Sequence, residues 1–450
     1  MMRRKLHTIV LSAVLSASIL FGCGGSGTAP DNNTSQPATA PMADTKSEST
    51  EAVGTDSSGE NITLNVLWHG GLNQTAKIRE LVETEFKEMH PEWNVIFTEV
   101  PNSEIMNKAM MEVTGHTGAY DITMQYLTVP ALANVGGIEP LDKYIARDNI
   151  DIDKYIDIGF RYKDQVWAMP IRADVRVLHY NEQYFKDAGL DPEAPPANMD
   201  ELFEYAKKLS QNGHYGDNRS CLSADTFTTL LMDFGGSICD ESGEPAFNSP
   251  EGVKAIEFMQ RELEEGIIDP QNIGWQYSDE ITGYLSGNSA MFESWPARFI
   301  DAKMPEKSNI VGQSRCAAAP GEYTLCGGWN LVMFSDSQNK DEAWELMKYM
   351  TDPATQKKVI QNGGDCNPTH LDVLFDEELA EDYEVLRAIG ENFDKVRSYP
   401  VSTQTTTLTN ILQDTVLPDI FMNGADPMEA LTQGAGEYRQ ALVDAGELPE

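Results

Sequence analysis

Many side chains in this 450-residue chain could do chemistry, but few stand at a spacing that a reaction requires. There is no GxSxG, HExxH, GxxxxGKS/T or GxGxxG, so the nucleophile elbow, the helical zinc pair and the glycine-rich phosphate cradles are all missing. Asp151, Asp153 and Asp157 suggest a calcium loop, yet Ile156 stands where the turn needs glycine and Tyr162 where the bidentate glutamate belongs. Asp233-Phe234-Gly235 has no other kinase signature around it, and the seven histidines are scattered without metal spacing. No catalytic or metal-binding set is therefore assigned, and no cofactor is expected. With 71 acidic residues, a carboxylate pair of the glycosidase kind, ~5–9.5 Å apart, remains open as a rival. The better candidates stand at the ends of predicted strands, namely Trp68-His69 and Gln125-Tyr126, and on the polar face formed by Arg172, Asp174 and Arg176.

Those positions are set by the pattern of elements. Residues 62–68 read as a strand, and 74–89 as a helix carrying Ile78, Leu81, Val82, Phe86 and Met89 at helical spacing. Residues 93–100 return to strand, 103–114 to helix and 120–127 to a third strand. This alternation predicts a parallel sheet with covering helices, and ligands in such sheets sit beyond the carboxyl ends of the strands. In the stretch 166–177, polar Arg172, Asp174 and Arg176 alternate with Ile171, Ala173, Val175 and Val177, as in a strand with one buried face. Further helices are expected at 200–211, 251–265, 342–350, 376–391, 404–422 and 427–445.

The first sixty residues read as an address. Arg3, Arg4 and Lys5 precede an apolar run over 9–22, which as a helix rises only about 21 Å, too short for a bilayer core of roughly 30 Å. Residues 1–22 are therefore expected to be a signal peptide. Leu20-Phe21-Gly22-Cys23 resembles a lipobox, which implies lipidation of Cys23 with palmitate-type chains. Residues 24–60 lack aromatic residues and nearly all large aliphatic ones, so 23–60 is expected to be a lipid-anchored, disordered tether.

The remaining chain exceeds one comfortable core and predicts two lobes. A net charge of −38 disfavours nucleic acid and anionic surfaces, whose affinity comes from Lys and Arg. Five cysteines come after Cys23, without zinc spacing. If the residues flanking Pro320-Gly321 pair as a hairpin, Cys316 and Cys326 become cross-strand neighbours and a disulfide candidate; the register decides.

Four segments carry a resemblance: MPIRADVRVLHYNEQYFKDAGL, YLSGNSAMFESWPARFI, GGWNLVMFSDSQNKDEAWELMKYMTDPATQKKV and NGGDCNPTH. Together they resemble the extracellular solute-binding proteins of ABC importers, of the maltose-binding-protein type, across residues 62–445. The resemblance implies an α/β, two-lobed periplasmic-binding-protein-like fold with a ligand cleft. It divides the chain into 61–172 (lobe 1), 173–313 (lobe 2), 314–357 (lobe 1) and 358–450 (lobe 2), with crossings near 170–175, 313–316 and 355–362. It implies a monomer that captures a small solute, best matched by a carbohydrate, and delivers it to membrane permease subunits as a non-enzyme.

The same resemblance supplies the candidate site. Trp68, His69, Tyr126, Asp174, Glu293, Trp295, Arg298, Trp329, Asn330 and Asp365 are the expected ligand contacts. Aromatic faces suit the apolar side of a sugar ring, and planar polar groups suit its paired hydroxyls. Trp93, Trp275 and Trp344 read as packing residues. Arg172, Arg176, Arg298 and Arg397 keep open an acidic sugar as ligand, because guanidinium pairs with carboxylate in bidentate fashion. A sensor that presents its ligand to a receptor is a further rival.

Overall fold

The computed structural model describes residues 62–450. The signal peptide, Cys23 and the tether lie outside the described residues. Strands are numbered in chain order: β1 (Thr63–His69), β2 (Asn94–Val100), β3 (Ile122–Gln125), β4 (Arg161–Tyr162), β5 (Gln165–Val166), β6 (Met169–Val175), β7 (Val177–Asn181), β8 (Met291–Ser294), β9 (Ser314–Ala318), β10 (Thr324–Met333) and β11 (Val396–Ser398).

The predicted alternation of strands and helices folds as expected. β1 pairs in parallel with both β2 and β3, and the helices Asn73–Leu81 and Asn102–Gly115 lie between them in the chain. Ile78, Leu81, Val82 and Phe86 are buried, but Met89 is exposed. The turn Val82–Phe86 is wider than an α-turn, and its extra residue rotates the last helical turn off the apolar face. The full sheet runs β11-β10-β3-β1-β2, with β6 also against β10; a second sheet has β7 between β8 and β9.

Two strands join the sheets. Only Arg176 separates β6 from β7, so one nearly continuous run leaves the large sheet and enters the small one. β10 returns: Thr324–Cys326 lie beside β11, and Asn330–Met333 lie antiparallel to β3. The apolar cores are divided in the same way. One gathers Leu64, Val66, Leu132, Ile171, Trp329, Leu331, Trp344 and Val359, and another gathers Leu178, Phe185, Phe227, Met259, Leu325 and Leu431. A third, around Val175, Phe299, Cys316, Cys326, Ile360 and Leu386, packs where the crossing segments meet.

Two expectations need correction here. β9 pairs antiparallel with β7, so residues 314–318 stay with the small sheet, and the return to the first core runs through β10 rather than at 313–316. For the same reason the segments around Pro320-Gly321 form no hairpin. Cys316 and Cys326 are free thiols; the Cys316 sulfur lies 3.2 Å from His179 Nδ1, and Cys326 donates to the Gly327 carbonyl.

β10 can cross close to its neighbours because Gly327 and Gly328 carry no side chain. A methyl on Gly327 would meet the Tyr126 hydroxyl at 2.6 Å, and one on Gly328 the Arg172 carbonyl oxygen at 2.3 Å. Asp174 and Ala173 lie opposite these glycines; further along, Pro170 opposite Asn330 lacks an N–H for the ladder, and the pairing of β6 with β10 shifts register between Trp329 and Asn330.

Candidate functional site

Between the two large cores lies a cavity of about 290 Å³. The first core contributes His69, Tyr126 and Trp329, the second side contributes Asp225, Tyr277, Trp295 and Arg298, and the crossing strand β6 contributes Arg172 and Asp174. His69 ends β1 and Tyr126 comes directly after β3, so both stand at carboxyl ends of parallel strands, where the sheet leaves a crevice.

The aromatic residues form a connected wall. Tyr126 stacks on Trp329 with centroids 5.7 Å apart, and His69 meets the Trp329 ring edge-on at 4.6 Å. Across the cavity, the Arg176 guanidinium sits 4.3 Å from the centroid of the Trp295 ring and backs it from behind. A second cavity of about 360 Å³ shares Asn102, Tyr126, Asp225, Tyr277 and Trp329 with the first, and adds Trp275, Met106 and Leu127.

The polar groups are held by ion pairs. Arg172 Nε donates to Asp174 Oδ2 at 2.9 Å, and its NH1 donates to Asp365 Oδ2 at 2.8 Å. Burial opposes the charge on Arg172, but the two carboxylates outweigh it and hold the guanidinium protonated. Asp174 also accepts from Asn367; burial still pushes its carboxyl above the usual range, against the pull of Arg172. Arg298 NH2 lies 3.0 Å from Asp301 Oδ2, whereas its buried Nε has no partner among the described residues. His69 Nδ1 is likewise buried without a partner among them, and burial lowers the pKa of the ring.

Six expected residues therefore line one cavity: His69, Tyr126, Asp174, Trp295, Arg298 and Trp329. Four do not. Trp68 is fully buried in the first core and its Nε1 donates to the Thr75 carbonyl, because alternation along β1 turns it inward when His69 faces the crevice. Asn330 is turned inward next to Trp329 for the same reason, and donates to the Ile158 carbonyl. Glu293 is buried behind the wall beside Arg219. Asp365 lies behind Arg172, where it also accepts from Asn73.

Sequence reasoning missed Asp225, Tyr277 and Asn102, and it assigned Trp275 to packing. Asp225 and Tyr277 both begin helices, Ala224–Asp233 and Tyr277–Leu285. The N-cap Ser223, whose side chain accepts from the Thr226 N–H, was the available signal for the first.

The comparisons agree with this architecture. A family model described as bacterial extracellular solute-binding protein matches residues 70–357. A probable amino-acid ABC transporter periplasmic-binding protein of Sinorhizobium fredii is 26% identical over 298 residues, covering 63% of this chain and 68% of its own. Maltose-bound MalE3 of T. maritima superposes with a TM-score of 0.75 at 22% identity, over 85% of this chain and 100% of that one. An ABC transporter solute-binding protein of Thermotoga lettingae bound with alpha-D-tagatose gives 0.74 at 25% identity, with the same coverage. With a two-lobed fold, a cavity between its cores and a family match over most of its length, the chain belongs to the bacterial extracellular solute-binding protein family.

Proposed function

We propose that this protein captures a neutral carbohydrate, a mono- or oligosaccharide or a related polyol, by closing its lobes, and delivers it unchanged to the membrane subunits of an ABC importer. The observation that carries this reading is the make-up of the cavity. Trp329, Tyr126, Trp295 and Tyr277 offer flat apolar faces, while Asp174 and Asp225 offer hydroxyl acceptors between them. Two of the neighbouring cations, Arg172 and Arg298, are already paired with Asp174, Asp365 and Asp301, so a neutral ligand needs no further counter-charge. The maltose and tagatose carried by the two structural neighbours support the same class.

One observation favours a second reading. Arg298 Nε is buried at the cavity without a partner among the described residues, and Asp225 lines the same cavity, so a ligand with its own carboxylate could satisfy the first group. An acidic sugar fits that description, as does the amino acid named for the Sinorhizobium relative.

Thermal shift against maltose, tagatose, ribitol, glucuronate and a set of amino acids separates the two, since ligand raises apparent stability by RT ln(1 + [L]/Kd). The proposal expects a rise with a neutral sugar or polyol and none with the others; a rise only with anionic or zwitterionic ligands overturns it. Recovery of intact ligand after incubation is expected, and turnover would support the glycosidase rival instead. Members of an extracellular family act outside the cytoplasm, and we further assign Cys23 as the lipidated anchor of a monomer. Cys23→Ala is expected to release the protein from the cell surface.

A further inference from the structure

Behind the second wall of the cavity lies a charged cluster that ligand capture does not use. Arg219 stands at its centre. Its Nε donates to Asp217 Oδ2 at 3.0 Å and lies 3.3 Å from Glu262 Oε2, and its NH1 lies 3.8 Å from Glu293 Oε2. Asp233 faces Glu293, and Glu262 and Asp217 converge on the same Arg219 Nε. Arg176, whose guanidinium backs Trp295, donates to the Glu293 carbonyl at 2.9 Å. None of these six side chains belongs to a residue more than 3% exposed.

The count does not balance. Four carboxylates against two guanidiniums leave two uncompensated negative charges away from water, which is very costly. The hydrogen bonds fail in the same way: both carboxyl oxygens of Asp233, of Glu262 and of Glu293 lack a donor among the described residues. One proton in each carboxyl pair brings the cluster to neutrality and gives each pair a hydrogen bond of its own, which reaches three of those six oxygens.

We propose that the second lobe holds two structural protons, one shared by Asp233 and Glu293 and one by Glu262 and Asp217, which make this lobe and the Trp295 wall sensitive to alkali. The electrostatics agree in direction, since burial pushes the Asp233, Glu262 and Glu293 carboxyls up. Asp233 is faced by Glu293, Arg219 and Arg176, and Glu262 by Asp217, Arg219 and Cys221. The next acid, Glu280, is pushed up to about 7 by burial and faces Arg176, Asp225 and Cys221.

Groups with raised carboxyl pKa keep protons that the unfolded chain releases near pH 4, so their stabilisation is complete in acid and is lost as pH rises through the folded values. The interval from pH 7 to 8 lies above histidine titration and below the main titration of unfolded thiols and phenols. There the unfolding equilibrium constant should rise by up to about tenfold per proton, or roughly hundredfold per pH unit for both. In Asp233→Asn/Glu262→Gln the amide N–H replaces each proton, and the slope should flatten with the fold retained. Infrared spectroscopy of the wild type at pH 7 should show the carbonyl stretch of protonated carboxylic acids, diminished in the double variant. An unchanged slope in a folded variant overturns the proposal. So does a wild-type spectrum without protonated acid, which decides the question even if the variant does not fold.

Discussion

Tyr126 lies against Trp329 with ring centroids 5.7 Å apart and planes inclined by 30°, and this stack joins the end of β3 to the middle of β10. Gly327 makes it possible, since the Tyr126 hydroxyl occupies the space that a side chain would take. The exposed parts of the two rings line the cavity together, and the stack fixes their orientation before a ligand arrives. Preorganised flat surface of this kind lowers the entropic cost of binding.

If a sugar ring seats on that stack, Trp329→Ala should weaken binding by at least about 2 kcal/mol, roughly thirtyfold in Kd. Trp329 also packs in the first core, so stability will fall as well. Trp329→Phe separates the two effects by keeping most of the packing with a smaller stacking face. Calorimetric titration with the best sugar from the thermal-shift panel, run beside melting curves, checks this. Wild-type affinity in a folded Trp329→Ala protein would remove the ring from the binding map.

Asp365 does not line the cavity of about 290 Å³ but holds Arg172 at its edge, so its removal should act chiefly on stability. Asp365→Ala leaves a buried guanidinium with one carboxylate instead of two and takes the acceptor from Asn73. Breaking a buried pair costs about 3–5 kcal/mol, and Asp365→Asn, which keeps an acceptor oxygen, should cost less. Urea denaturation of both variants tests the order, and equal losses would mean that the acceptor oxygen recovers nothing and that the charge of Asp365 carries the whole effect.

Gly328 faces the backbone of β6. A methyl there would lie 2.3 Å from the Arg172 carbonyl oxygen and 2.7 Å from the Ile158 side chain, so β6 and β10 would have to separate at the crossing. Overpacking costs about 1–3 kcal/mol where side chains can yield, and backbone yields less readily. Gly328→Ala should therefore lower Tm by several degrees and weaken ligand binding, because Asp174 and Trp329 ride on the displaced strands. A variant that melts and binds like the wild type would show that the crossing is looser than its geometry.

Much of the fold was legible because its signals are local. The 3.6-residue period of Ile78, Leu81, Val82 and Phe86 and the alternation of Arg172, Asp174 and Arg176 can both be read without knowing the partner. Strand pairing cannot. Whether Cys316 meets Cys326 depends on which strands lie between them, and β7 captures β9. The site shows the same boundary. Trp68 and His69 are adjacent in sequence, and only the direction of the β1 pleat decides which faces the crevice. Asp225, Tyr277 and Trp275 come from segments with no sequence feature beyond helix starts, and packing of the second core brings them to the cavity.

His179 yields the acid-side prediction. It is fully buried, with Nε2 3.2 Å from the Trp295 carbonyl oxygen and Nδ1 3.2 Å from the Cys316 sulfur. The carbonyl can only accept, so Nε2 carries the hydrogen and Nδ1 accepts from the thiol, which fixes a neutral tautomer. Burial pulls the pKa down to about 3 against a normal value of 6.5. The unfolded chain therefore takes a proton at His179 as pH falls below 6.5, while the folded chain does not until about pH 3. The stabilisation is present above pH 6.5 and is lost on acidification, at about 1.4 kcal/mol per pH unit and about 5 kcal/mol at most. His69, His214 and His370, also lowered by burial, act in the same direction, and the protonated carboxyl pairs of the second lobe act in the opposite one. Only a difference isolates His179. His179→Gln keeps a donor toward Trp295 and an acceptor toward Cys316 without a titrating group. Denaturation at pH 6.5 and 4.5 should show the wild type losing about 2–3 kcal/mol more than the variant. Parallel losses in the two proteins would mean that the ring is already protonated in the fold, or that water reaches it.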